Sequence, residues 1–451
     1  LDKIVSRYVH RVKTLEVSES KISINFKSRY DFETACCGIE GDPTFNSIKR
    51  KTSAGYPWCT KYKDGKSHIF GRDGEFNFQL PGALEIRKKV EEVEALARKG
   101  ICDLHVFIDT LKDERKPIEK AHKTRLFSAC PLEYLILCRM YFQGSVSRIV
   151  RTRISNGIAV GMNVYSSEWS ELAMHLLRNK RFVAGDFVGF DSSEERETLR
   201  RAAQILIELS EDVSLPEHIR SEHRKIRLVL MESLLESVHY SYGYLYAWSK
   251  GLPSGHFLTA IINSLFVILT LCYSFVVASP FSEDEAIRIF FSEFSFIVYG
   301  DDHVLGVPDV YCDIINQKTL PKILAAIGMD YTMEDKDRIV DVETRSISEV
   351  SFIKRTFKFI ESPQRWIAPL DLDSILDCMN WMRKGEDGVF NTQANVAFAL
   401  KELSLHPEYE WDRWFPKILS ACEEVGVEVD YLERASAFAA VLATEDRIYG
   451  D

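Results

Sequence analysis

Residues 294–307 read FSFIVYGDDHVLGV: two apolar runs on either side of Tyr299-Gly300-Asp301-Asp302. Short apolar runs separated by Gly and Asp are the pattern of a β-hairpin. This reading puts Asp301 and Asp302 at a tight tip, projecting from a rigid support. A solvated hairpin tip favours Gly and Asp for purely local reasons, so the hairpin alone does not fix a function.

A second pair of carboxylates lies upstream. RFVAGDF at 181–187 reads as a strand that ends at Asp186, and Asp191 follows five residues later. The next stretch, 192–210, has the pattern of a helix, with Ser192 and Glu195 spaced for a capping box. Two strand ends bearing carboxylates, if brought together, suit hard divalent cations, which prefer oxygen ligands. Two such cations serve in-line displacement at phosphorus, one activating the attacking hydroxyl and the other neutralising the leaving group.

The chain has 451 residues, enough for about three subdomains. It starts at Leu1, which reads as a product cut from a longer precursor or a trimmed chain, and no basic, apolar leader precedes the first helix-like segment. Ten cysteines form no CxxC pair, which supports neither a zinc knuckle nor a disulfide framework and fits reduced thiols. The net charge of −10 is unusual for a nucleic-acid protein. Locally the balance reverses: between Thr110 and Arg153, ten Lys or Arg face four Asp or Glu. A basic channel in an acidic exterior fits this, as does a solvated basic loop.

Other elements follow from periodicity. Residues 1–80 are rich in turns, 84–99 form an amphipathic helix stopped by Gly100, and 104–111 and 124–129 are short strands around the basic loop. Residues 312–327 are expected to be helical, and beyond about residue 370 the chain is helical and acidic, with Trp381, Trp411 and Trp414. From Gly251 to Ser282 there is no charged residue, and 257–279 is long enough to cross a bilayer. Asn263 and Ser264 near its centre and the preceding GLPSG turn favour a buried helix behind a sheet, so no transmembrane segment is expected.

An ordered series of motifs resembles the RNA-dependent RNA polymerases of the picornavirus-like order (Picornavirales), and most closely those of iflavirus or dicistrovirus type. It runs TSAGYPW (52–58), KDERKP (112–117), KTRLF (123–127), DFVGFD (186–191), GLPSGHFLTAIINS (251–264), YGDD (299–302), MEDK (333–336) and FIKR (352–355). The resemblance implies an α+β right-hand polymerase fold of fingers, palm and thumb, with an antiparallel palm sheet backed by helices and a mainly helical thumb. The implied domains are fingers at 1–145, including fingertips and a basic nucleotide-channel loop at 110–127; palm at 146–197; a fingers or palm-support insertion at 198–249; palm again at 250–357; and thumb at 358–451.

The resemblance also assigns roles. Asp186 and Asp301 match the metal-binding aspartates, with Asp302 a less essential carboxylate nearby, and two Mg²⁺ or Mn²⁺ ions are implied. Asp191 and Asn263 match the pair that senses the ribose 2′-hydroxyl, the carboxylate and amide serving as acceptor and donor. Ser254, Gly255 and Thr259 support that pocket. Lys112, Arg115, Lys123 and Arg125 match triphosphate contacts, while Lys116 and Lys120 read equally as solvated side chains. The spacing inside KDERKPIEKAHKTR departs slightly from the family pattern, which puts Arg115 and Lys120 in more doubt than Arg125. Lys336 matches the lysine that protonates departing pyrophosphate. Phe352, Lys354 and Arg355 match the hairpin that grips the primer, and Thr52, Ser53, Gly55 and Tyr56 the loop where template comes in. His303 reads as structural.

The implied activity is template-directed RNA synthesis on an RNA template, for viral genome replication. Its partners would be RNA template and primer, ribonucleoside triphosphates, a genome-linked protein primer and other viral replication proteins. It would be soluble itself, at membrane-associated replication complexes in the host cytoplasm. Two other readings compete. A reverse transcriptase shares the palm and its chemistry but puts a bulky aromatic where this chain has Asp191. An inactive RNA-binding scaffold is expected to lack the metal ligands that are present here.

Overall fold

The 299–302 hairpin forms as its pattern predicts. In the computed structural model, which describes residues 1–72, 74–114, 118–334, 341–382 and 387–444 without the side chains of residues 120, 121 and 123, Ser295–Tyr299 pairs antiparallel with Asp302–Val307. Arg181–Phe187 lies against the other edge of Asp302–Val307, and Tyr331–Thr332 completes a four-stranded antiparallel sheet. Ser295 to Val298 and His303 to Val307 are buried without alternation. Both faces of the sheet are therefore covered, which is why these strands read as unbroken apolar runs.

The cover on one face is the Thr259–Ala278 helix, packed against Ser295–Tyr299 and against the helices Arg196–Leu209 and Glu283–Glu293. Among the described residues it is the one helix long and apolar enough to cross a membrane, and 78% of its most apolar window is buried inside the fold.

A second four-stranded sheet carries the basic loop. Its order is Leu126–Ala129, Val106–Leu111, Val238–Ser241, Tyr244–Ala247, with the middle pair parallel and the outer pairs antiparallel. Residues near 106 and near 240 thus share one sheet. The helices Leu132–Arg151 and Arg196–Leu209 run without a break across 145/146 and 197/198. The C-terminal part is helical from Leu372 onward, around a small core of Val396, Leu400, Leu403, Trp411, Ile418 and Cys422. All ten cysteines are free.

Three local expectations are corrected. Residues 2–18 form a helix, Asp2–Ser18, which buries Ile4, Val5, Tyr8, Val9 and Val12 on one face. Within 312–327 the α-helix covers only Leu320–Ala325. The capping box at Ser192 does not form, because Phe190–Ser193 makes its own short turn of helix and Ser192 Oγ donates back to the Gly189 carbonyl. The following helix starts later, capped by the Glu195 carboxylate, which accepts from the Glu197 and Thr198 amides.

Candidate active site

The central strand Arg181–Phe187 keeps register with Asp302–Val307 as far as Gly185 opposite His303. Asp186 and Asp302 are the next residues of each strand, so they leave the ladder side by side, at an interstrand Cα separation of about 5 Å. Asp301 occupies the two-residue turn between Tyr299 and Asp302. The carboxylates read from two distant stretches of sequence therefore meet at one end of one sheet.

Their closeness shows in Asp302. Its side chain still reaches solvent, but partial burial, then the charges of Asp301, Asp186 and Glu334, lift its pKa to about 6, with Lys354 opposing. Such crowding of like charge is relieved by a bound cation. Oxygen donors, two strand ends and an electrostatic deficit of positive charge fit a hard divalent ion. Among the described residues no three acidic, His or Cys side chains form a ready metal cage. Mg²⁺ in general takes one or two protein carboxylates and completes its shell with water and phosphate oxygens.

The tip is anchored from behind. Gly300 has φ +64°, a left-handed conformation that L side chains seldom adopt, and its amide donates to Ser264 Oγ at 2.8 Å. His303 is buried, with Nδ1 3.0 Å from the Asp301 carbonyl and Nε2 2.9 Å from the Tyr331 hydroxyl. It ties the turn to the edge strand, the structural part expected of it.

Asp191 lies at the rim beside this cluster. Burial and the Asp301 charge raise its pKa, while Lys112 and Arg125 oppose the rise, so the basic loop faces the acidic centre. The GLPSG loop sits directly on this turn. A Cβ on Gly251 would fall 1.9 Å from the Asp191 carbonyl oxygen, and one on Gly255 would fall 2.0 Å from that of Ser128. Gly255 is thus required by close approach to the strand Leu126–Ala129. Ser254 Oγ donates to the Leu126 carbonyl at 2.9 Å, and Thr259 Oγ1 to that of Pro253 at 2.6 Å. Asn263 is buried one turn into the apolar helix.

Of the basic residues, Lys112 is half-buried and its amide donates to the Arg125 carbonyl. Arg125 is exposed, but its guanidinium is paired with Glu114 at 2.8–2.9 Å, so a triphosphate would compete with that carboxylate. Arg115 and Lys336 lie outside the described residues, as does the side chain of Lys123.

Thr52 and Ser53 border a cleft of about 400 Å³ that also touches Ser254, Gly255 and Phe127. Buried Lys66 donates to Thr52 Oγ1 at 2.7 Å and to the Ser53 carbonyl at 2.5 Å, fixing this loop. Gly55, at φ +67°, packs against the Cys130 carbonyl, and Tyr56 is exposed.

The 351–356 hairpin departs from expectation. Phe352 is 1% exposed, in a core with Trp169 and Phe357. Arg355 is 7% exposed, its guanidinium bonded to Glu402 at 2.6 and 3.0 Å and to the Ala368 carbonyl at 2.7 Å. Neither presents itself to a primer strand. Lys354, at the turn with φ +60°, is the exposed member and the one whose charge reaches Asp302.

Sequence reasoning missed three contributors. Ser264 props the tip. Glu334, held by Arg345 in two bonds of 2.7 Å, adds charge near Asp302. Glu194 is completely buried behind Asp191. Ser264 and Glu334 stood inside quoted motifs, GLPSGHFLTAIINS and MEDK, without a role of their own, and Glu194 is a carboxylate three residues past Asp191, just beyond DFVGFD.

Residues 11–433 match the family described as viral RNA-dependent RNA polymerase. The chain is 33% identical over 422 residues to the replicase polyprotein of Cricket paralysis virus, covering 91% of this chain and 23% of that one. It is 31% identical over 406 residues to the replicase polyprotein of Acute bee paralysis virus, covering 87% and 21%. The chain thus spans about a fifth to a quarter of the curated relatives it matches most strongly. A solved Sicinivirus 3Dpol RNA dependent RNA polymerase shares the fold, with a TM-score of 0.75 at 21% identity over 96% of this chain and 85% of that one. The two sheets and the helical C-terminal part are those of the right-hand polymerase architecture. With the match running over nearly its whole length, the chain belongs to the viral RNA-dependent RNA polymerases of the picornavirus-like order.

Proposed function

We propose that this chain extends an RNA strand on an RNA template by two-metal-ion nucleotidyl transfer, releasing pyrophosphate. The observation that carries the reading is the convergence of Asp186, Asp301 and Asp302 at one sheet end, with Asp302 held at a raised pKa by its neighbours. Asp186 and Asp301 would hold two Mg²⁺ or Mn²⁺ ions, with Asp302 alongside. When bound, these ions would activate the primer 3′-hydroxyl and neutralise the departing pyrophosphate.

The protein's own groups do the rest. Lys112 and Arg125, with Arg115 and Lys123, would draw the triphosphate toward the acidic centre, Arg suiting bidentate phosphate contact. Asp191 and Asn263 would read the ribose, supported by Ser254, Gly255 and Thr259. A pocket that bonds a hydroxyl rejects its absence strongly. The loop Thr52, Ser53, Gly55 and Tyr56 would guide template, Lys354 would touch the primer strand, and Lys336 would donate the proton to pyrophosphate. Priming by a genome-linked peptide, work beside other viral replication proteins at membrane-associated complexes in the host cytoplasm, the domain boundaries given above and the lack of a membrane span belong to the same reading.

The test is incorporation of labelled ribonucleotides by purified protein on a defined RNA template, with and without chelator. Template-dependent product that vanishes with chelator and with Asp301→Asn is the expected result. Full elongation by a folded Asp301→Asn protein would remove the reading.

A further inference from the structure

Glu194 ends the short turn that carries Asp191, in an extended backbone conformation. Its side chain is 0% exposed. The Gly251 amide reaches its carbonyl at 3.4 Å, so the GLPSG loop closes over it. Beneath it lies Asn263. One atom of the Asn263 amide is 3.0 Å from the Thr259 carbonyl, which only accepts, so that atom is Nδ2; the same nitrogen then donates to Glu194 Oε1 at 3.1 Å. A primary amide has two N–H groups. Both are taken up internally, which leaves the carbonyl Oδ1 as the part of Asn263 available to a ligand.

The other carboxyl oxygen supports the arrangement. Glu194 Oε2 is buried and has no hydrogen-bond partner among the described residues. An ionised carboxylate with a bare oxygen there is costly. Burial, then the charges of Asp191 and Asp301, raise the Glu194 pKa well above the carboxylate range. A neutral carboxyl protonated on Oε2 would still accept through Oε1.

We infer that Glu194 is a positioning residue for sugar selection: it locks the Asn263 amide so that Oδ1, rather than the amide N–H, meets the sugar hydroxyl of the incoming nucleotide. The inference rests on the reading of Asp191 and Asn263 as the ribose-sensing pair, and it revises that reading in one respect. The amide was expected to donate; locked this way it accepts, and the 2′-hydroxyl donates to it. An apolar side chain at 194 would free the amide to turn.

The experiment measures kcat/KM for a ribonucleotide and the matching 2′-deoxynucleotide in primer extension. Glu194→Leu is expected to lower the ribo/deoxy ratio about tenfold, the size of one lost pairing. Glu194→Gln, whose side-chain carbonyl accepts the same bond, is expected to stay within about twofold of wild type. Glu194→Ala is read in the same way as the leucine variant, should the leucine not pack. In an Asn263→Ala background, Glu194→Leu is expected to change the ratio no further. An unchanged ratio in the leucine and alanine variants, a glutamine variant as impaired as leucine, or additive effects in the double variant would overturn the inference. Asp191→Ala and Asn263→Ala separate the two levels. If neither alters the ratio, the ribose-sensing reading itself fails. If both collapse it while Glu194→Leu and Glu194→Ala do not, only the positioning role fails.

Discussion

Ser264 Oγ accepts the Gly300 amide at 2.8 Å, so the helix that carries Asn263 also holds the tip that carries Asp301. The same hydroxyl donates to the Ala260 carbonyl at 2.7 Å, which leaves it oriented to accept. Ser264→Ala strands the Gly300 N–H, at a cost of about 1–3 kcal/mol. A lower melting temperature together with a reduced kcat, at nearly unchanged KM for nucleotide, is the expected outcome. Steady-state kinetics with full wild-type kcat would show that the tip needs no such support.

Asp302 gives a pH dependence with a definite sign. Its folded pKa of about 6 lies above the usual carboxylate value, so the folded state binds the extra proton. Its favourable contribution is complete below about pH 4 and lost as pH rises through about 6. Without divalent cation, Asp302→Asn is therefore expected to melt higher than wild type at pH 7.5. That advantage should shrink through pH 6 and disappear near pH 4. Adding Mg²⁺ at pH 7.5 should stabilise wild type more than the variant. Thermal melts across pH, with and without the ion, check both statements.

The buried Arg355–Glu402 pair is a stability device that joins the 351–356 hairpin to the Gly388–Leu403 helix, with the Tyr165 hydroxyl also donating to Glu402. Glu402→Leu leaves Arg355 charged and unpaired in the interior and should cost about 3–5 kcal/mol. The double change Arg355→Met with Glu402→Leu should cost much less, since both charges go. Denaturant unfolding distinguishes this from a direct RNA contact, which would instead make Arg355→Met reduce RNA affinity without loss of stability.

Two glycines should fail for different reasons. Gly255→Ala puts a methyl 2.0 Å from the Ser128 carbonyl and forces the GLPSG loop off the strand, costing about 1–3 kcal/mol. Gly300→Ala meets nothing within 4 Å but must hold φ +64°, costing about 1–2 kcal/mol. Gly300→Asn, which tolerates that conformation better, should recover part of the loss, whereas Gly255→Asn should be worse than Gly255→Ala. Melting temperatures of the four variants test the pair of explanations.

What could be read in the sequence was local or periodic. The 294–307 hairpin was visible because both strands are buried on two faces and the turn is built of turn formers. Asp186 and Asp301 could be paired only through the resemblance, since nothing local sets the register of Gly185 against His303. The Asp2–Ser18 helix was missed because its apolar face is diluted by polar residues and its valines are weak helix formers. The Ser192 box was misplaced because a turn of helix at Phe190 took up that serine first. Glu194 and Arg355 were misjudged or unseen for one reason: charged side chains are rarely buried, and only tertiary partners reveal when they are.

The order of strands within the sheets bears on how the protein is made. Arg181–Phe187 is the middle strand of its sheet, yet both its partners, Asp302–Val307 and Tyr331–Thr332, come much later in the chain. Val106–Leu111 likewise waits for Val238–Ser241. At a ribosome's pace of roughly 5–20 residues per second, the nascent middle strand stands unpaired for on the order of ten seconds. Its apolar residues and strand edges stay uncovered during that interval, and catalysis cannot begin until most of the chain has been translated.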